Sequence, residues 1–152
     1  MTLAIQDYYP ERFSHCFGCG RNNPHGHQLK SYWHGDETIA RFTIAPMYSG
    51  GVPDNAYGGM VASLIDCHGT ASAAAFACRA QGHELGEGAE PVRFVTASLT
   101  IDYLRPTPVG KEVTITGRLM SAEGRKVRVA LALAADGTVC ARGEMLAVQF
   151  RE

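Results

Sequence analysis

Gly59, Ser63, Asp66 and Thr70 stand at spacings of four, three and four in a proline-free run from Met60 to Cys78. On a helix they form one polar stripe down an otherwise apolar cylinder. A carboxylate near the middle of a buried helix is costly unless it has partners or a task. Asp66 therefore has two readings. In one it is a structural acid satisfied by neighbouring hydroxyls or amides. In the other, Gly58 and Gly59 bring a helix start, with its free N–H donors, up to a reacting carbonyl, and Asp66 is the acid or base. The second reading carries a geometric condition. Gly59 and Asp66 are seven residues apart, about 10 Å along a helix axis, whereas an oxyanion donor and an attacking group must each lie about 3 Å from one carbonyl. One copy of the helix cannot serve both ends, so the site needs Gly59 from one subunit and Asp66 from another, with the helices antiparallel across a two-fold axis.

A second group of reactive side chains lies near the N-terminus. Cys16 and Cys19 have metal-ligand spacing, and His15, His25 and His27 are close by. No second Cys-x-x-Cys follows, and the histidines lack a helical spacing that would present them together. The segment from Gly20 to Pro24 also gives no helix start beneath the thiols, as a thioredoxin-like pair would need. The expectation is a packed loop with two small buried side chains and no metal. His68, two residues past Asp66, points to another helix face and reads as a buried or interface histidine rather than a catalytic base.

These residues need elements to hold them. The stretch from Tyr57 to Arg79 is rich in alanine and apolar on most sides, as a helix enclosed by other structure would be, with Asp54 and Asn55 as candidate caps. Ahead of it, Gln28–Trp33 and Glu37–Ile44 read as a hairpin turning at His34-Gly35-Asp36. After it come Phe94–Tyr103, with Val95, Ala97, Leu99, Ile101 and Tyr103 alternating against polar residues, then Glu112–Ser121, Lys126–Ala134 and Thr138–Phe150. Turns at Glu123-Gly124 and Asp136-Gly137 make the second half a four-strand meander. Residues 1–14 read as an arm or short helix docking on the body, and Ala80 to Pro91 as a loop long enough to lie over a cleft. A hairpin, one long helix and further strands, with no repeated strand-helix unit, predict an α+β fold in which an antiparallel sheet wraps around a central helix.

Composition fits one domain over residues 1–152, with residues 1–27 as its N-terminal arm and Cys/His loop. The chain is 45% hydrophobic and 19% charged with a net charge of −1, giving no basic field for nucleic acid. The start has neither a basic leader nor an apolar core, so the expected compartment is the cytoplasm, with no membrane partner. Five cysteines, an odd number, argue for reduced thiols.

Three stretches together resemble a known family: Cys16-Phe-Gly-Cys-Gly-Arg-Asn-Asn-Pro-His-Gly, Ala56-Tyr-Gly-Gly-Met-Val-Ala-Ser-Leu-Ile-Asp66 and Val95-Thr-Ala-Ser-Leu-Thr-Ile-Asp-Tyr-Leu-Arg-Pro106. In this order they are similar to the hotdog-fold acyl-CoA thioesterases of the phenylacetate-pathway type, over roughly residues 16–150. The resemblance implies the hotdog fold, a homodimer or homotetramer with a site shared between subunits, and hydrolysis of a coenzyme A thioester with no cofactor besides the coenzyme A of the substrate. It places the oxyanion glycine at Gly59, the catalytic carboxylate at Asp66 and a supporting threonine at Thr96. Tyr57, Gly58, Asn55, Ser63 and Thr70 are expected around the substrate, and Arg105, immediately before Pro106, is the first candidate for the coenzyme A phosphates. Tyr57 departs from the pattern, because members commonly carry histidine before the two glycines. A phenol near pKa 10 donates a hydrogen bond but is no base at neutral pH. Two rival functions remain at this point: an acyl-thioester hydratase or dehydratase, which would want a histidine such as His68, and a protein that binds acyl-CoA without cleaving it.

Overall fold

The computed structural model describes residues 1–87 and 93–151. Its regular elements are β1 (Ser31–His34), β2 (Glu37–Thr43), α1 (Gly58–Ala80), β3 (Phe94–Tyr103), β4 (Glu112–Glu123), β5 (Lys126–Ala135) and β6 (Thr138–Gln149), preceded by two 3-10 turns at Ile5–Tyr8 and Glu11–Phe13. All strands pair antiparallel in one six-stranded sheet of order β1-β2-β4-β5-β6-β3. The sheet curls around α1, as the order of elements predicts, and this is the hotdog fold that the resemblance implies.

The second half is a meander only from β4 to β6. The strand that follows the helix, β3, pairs with β6 at the far edge instead of with β4, whose other neighbour is β2. The reason lies in the crossover. A helix laid across the sheet delivers the chain to the opposite edge, and β2 already occupies the side of β4 that β3 would need. The first strand is also shorter than its sequence suggests, because Gln28 takes a left-handed φ of 52° and residues 28–30 stay outside the ladder.

Helix α1 buries most of its surface: Met60, Val61, Leu64, Ile65 and the run from Cys67 to Phe76 are all enclosed. Its length and composition would suit a membrane span, but its apolar faces are already covered by this chain's own sheet. The helix approaches the sheet closely at Gly69, where a Cβ would meet Met145 Cε at 2.5 Å. Neither Asp54 nor Asn55 caps it. Tyr57 is the N-cap, with no side-chain capping bond, because Asp54 is held in a left-handed turn at φ 65° and the Asn55 amide donates to the Pro53 carbonyl at 2.9 Å. At the other end Gly82, at φ 80°, turns the chain out of the helix, its N–H bonded to Arg79 O at 2.9 Å. The first part of the expected loop follows, and its residues 88–91 lie outside the described residues. The N-terminal arm docks on the body through Ile5 and Tyr9, and the Gln6 carboxamide accepts the Ser31 N–H at 2.8 Å.

Candidate active site

Asp66 sits half-buried on the face of α1 that looks toward β3, and Thr96 Oγ1 donates a short hydrogen bond to Asp66 Oδ1. The strand brings Thr96 there by a register slip. Thr96 pairs with Ala147 and Ser98 with Leu146, leaving Ala97 as the extra residue of a β-bulge. Strict alternation would give the helix-facing role to Val95, Ala97 and Leu99. The bulge instead keeps Phe94 and Thr96 on the helix side and then resets the parity, so that Leu99 and Ile101 pack on the core while Val95 is 45% exposed. The slip thus sets a hydroxyl, rather than a methyl group, beside the carboxylate.

The helix start forms the other half. Gly58 and Gly59 lie in the first turn of α1, whose N–H groups have no carbonyl partner within the helix. The Tyr57 ring lies against Gly59, close enough that a Cβ there would be 2.6 Å from Tyr57 Cε2. Tyr103 Oη donates to the Gly58 carbonyl at 2.8 Å, fastening the end of β3 to the helix start. Gly58, Tyr103 and Arg105 border a cavity of about 280 Å³ at this end. A larger concavity of about 690 Å³ lies on the outer face of the sheet, among Arg118, Arg128, Arg142 and Glu144, away from Asp66.

The remaining residues of the stripe separate. Ser63 Oγ donates to Met60 O at 2.8 Å and Thr70 Oγ1 to Cys67 O at 3.2 Å, so each hydroxyl is satisfied by its own helix, and the partner of Asp66 is Thr96. Asn55 stays on the loop before α1, in an isolated bridge with Pro108. His68 takes no part in the site. It is fully buried, with Nδ1 2.8 Å from Ser31 Oγ and Nε2 3.1 Å from Thr38 Oγ1, and burial lowers its pKa to about 4. A ring with both nitrogens engaged inside the core is no base for a substrate, which removes the feature that a hydratase reading relied on.

One cluster was not foreseen. The Cys16–Cys19 loop folds onto α1 at Cys67, and the three sulfurs lie within 4.8 Å of one another. Hydrogen bonding from the neighbouring Cys19 and Cys67 thiols, the latter 3.8 Å away, holds the Cys16 thiol far below the usual thiol range. The same contact pushes Cys19 up to about 11 and raises Cys67 further. Among the described residues this trio is the group that could hold a metal ion. The signal available beforehand was only that Cys67 lies in the helix interior, and no spacing rule connects it to Cys16.

Comparison with known proteins agrees with this fold. Residues 54–147 match the family model described as thioesterase superfamily. A thioesterase superfamily protein from Shewanella loihica PV-4 is 45% identical, with 92% of this chain and 97% of that chain covered and a TM-score of 0.68. The PaaI protein of the E. coli phenylacetic acid degradation operon is 20% identical over 79% of this chain and 82% of its own, at a TM-score of 0.60. The smu.793 protein of Streptococcus mutans UA159, solved bound to acetyl CoA, is 14% identical over 82% and 90%, at 0.63. At such identities the last two testify to the fold alone. No curated protein matches the sequence.

Proposed function

The chain belongs to the thioesterase superfamily, and on that premise we propose that it hydrolyses an acyl-coenzyme A thioester to a carboxylic acid and free coenzyme A. The observation that carries the reading is the Thr96 hydroxyl bound to the Asp66 carboxylate beside the edge strand of the sheet. Thr96 fixes one carboxylate oxygen and leaves the other to a water. Asp66 takes a proton from that water as it adds to the thioester carbonyl. The oxyanion that develops is met by the Gly59 N–H of a second subunit, backed by the positive end of its helix. Collapse of the tetrahedral intermediate breaks the carbon–sulfur bond. The thiolate, already a good leaving group, takes up the proton held by Asp66. Direct attack by Asp66 to give an anhydride, hydrolysed in a second step, would use the same residues.

The second subunit is required by distance, since α1 carries Gly59 and Asp66 about 10 Å apart. A homodimer is the smallest unit that supplies both, and a homotetramer built from two such dimers would supply them equally. Strand β3, at the edge of the sheet with Val95 and Tyr103 exposed and Leu104 exposed just past its end, offers the surface for that contact. Arg105, exposed beside the cavity at the helix start, is the proposed partner of the coenzyme A phosphates, and Tyr57 and Gly58 flank the thioester. The solved complex of the Streptococcus mutans protein with acetyl CoA supports this class of ligand for the fold. We place the reaction in the cytoplasm, where thiols such as these five free cysteines stay reduced.

The test incubates the protein with a panel of acyl-CoAs and follows free thiol, with Asp66→Asn alongside. Turnover by the wild type, lowered about 10²- to 10⁴-fold in Asp66→Asn, is the expected result. Full activity in Asp66→Asn would remove the role given to Asp66. Tight binding with no thiol release by the wild type would make the protein an acyl-CoA carrier.

A further inference from the structure

The Cys16–Cys19 loop is built against the helix in a way that packing alone does not require. Cys16 Sγ and Cys67 Sγ are 3.8 Å apart, and Cys19 Sγ completes a triangle whose edges are all within 4.8 Å. Two sulfurs on a tetrahedral zinc, each about 2.3 Å from the ion, stand about 3.8 Å from each other. The loop reaches this position because residue 18 is glycine: a Cβ there would collide with Cys67 Sγ. The backbone then turns tightly, with Gly20 N–H bonded to Cys16 O at 2.8 Å, and directs the Gly18 and Cys19 N–H groups at Cys16 Sγ.

Tyr9 gives an independent observation at the same place. Its side chain is buried at 4% exposure and its hydroxyl has no hydrogen-bond partner, although charge on any of the three sulfurs is felt at that hydroxyl. A buried hydroxyl left unpaired is costly, and a metal-bound thiolate or water would satisfy it. Arg93 stacks over the Tyr9 ring at 4.4 Å and acts electrostatically on Cys19. It is the cation that would offset the single net negative charge of three thiolates around a dication. Cys16 itself opens on a cavity of about 280 Å³ bordered by His15, Arg93 and Phe150, which gives an ion a way in.

We propose that Cys16, Cys19 and Cys67 form a three-thiolate site for zinc, with water in the fourth position and the Tyr9 hydroxyl bonded to the bound ligands. Each cysteine that binds releases its thiol proton to solvent. The ion clamps the N-terminal loop to α1 one residue from Asp66. No step of the proposed hydrolysis passes through it, so the site stands or falls independently of that reaction.

Cobalt(II), added to the reduced full-length protein, reads the site directly. One cobalt per chain is expected, with thiolate-to-metal charge-transfer absorption and tetrahedral d–d bands that zinc abolishes on displacement. Cys67→Ser and Cys16→Ser lose the charge-transfer absorption while keeping the wild-type circular dichroism, and Cys140→Ser, outside the trio, retains it. Tyr9→Phe keeps the stoichiometry and binds about 10- to 100-fold more weakly. The wild type alone suffices to overturn the site, whatever the fate of the variants. No charge-transfer absorption from fully reduced protein would do so, as would sub-stoichiometric cobalt or a signal that survives in the Cys16→Ser, Cys67→Ser double variant.

Discussion

Two inactive proteins should restore activity to each other if the catalytic unit straddles two subunits. Asp66→Asn removes the base, and Gly59→Pro removes the backbone donor at the second helical position, where the fixed φ of proline is compatible with the first turn. Alone, Asp66→Asn costs about 10²- to 10⁴-fold and loss of one oxyanion donor about 10²- to 10³-fold. Seven residues of helix at 1.5 Å each keep the two groups about 10 Å apart in one chain, so each site draws one group from each subunit. Equal amounts of the variants, exchanged to random pairing, give mixed dimers as half of the population. Every mixed dimer holds one site with both groups native and one with neither, so the mixture recovers about a quarter of the wild-type rate. The assay is thiol release after mild denaturant exchange and refolding, with circular dichroism and light scattering confirming that both variants fold and pair. The Tyr57 ring must turn to admit the proline at residue 59, because it lies against that position. A mixture no more active than its parents, from proteins shown to have exchanged, would refute the shared site. A lone monomer with full activity would refute it sooner.

Two further outcomes are expected. Thr96→Val removes a hydrogen bond to a charged group, worth about 1.5–3 kcal/mol, so kcat should fall roughly 10- to 150-fold with KM little changed, and an unaltered kcat would show that Thr96 does not position the carboxylate. His68 links stability to pH: its folded pKa of about 4 lies below the unfolded value of 6.5, so the native state binds fewer protons, and stability present above pH 6.5 is lost as pH falls toward 4. The hydroxyls of Ser31 and Thr38 meet the ring nitrogens and that of Ser72 the backbone carbonyl, and the loss from this group between pH 7 and 4.5 is about 2–3 kcal/mol. Urea unfolding of wild type and His68→Gln across that range measures it, since the variant should show a correspondingly shallower decline, and parallel declines would refute the assignment.

The strands other than the start of β1, the helix and the position of Asp66 were legible because each rests on a local pattern: period two with turn residues between, an alanine-rich apolar run, and an acid that such a run must explain. What escaped the sequence is long-range. The pairing of β3 with β6 depends on where the helix delivers the chain, and nothing within Phe94–Tyr103 encodes it. The bulge at Ala97 leaves the alternation of residue types intact while shifting which of them face inward, so the pattern looked regular across the slip. The Thr96–Asp66 pair came from family resemblance rather than from spacing. Ser63 and Thr70, chosen because they share a helix face with Asp66, turn their hydroxyls back to the carbonyls of their own helix. The caps were misread for a similar reason: Asp54 and Asn55 have the right chemistry one turn too early. Cys67 was invisible as a partner of Cys16 because fifty-one positions separate two groups that now touch.

The bulge also means that this protein could lose its chemistry without losing any reactive group. Flattening the bulge with Ala97 kept, so that the ladder ran evenly back from Leu99, would turn Ala97 and Val95 toward the carboxylate and send Thr96 to the outside, with the composition of the strand unchanged. When kindred sequences are lined up against this chain, a one-letter gap at Ala97 would leave Thr96 facing inward, so the pairing of the strand, more than its letters, tells whether the hydroxyl still meets the carboxylate.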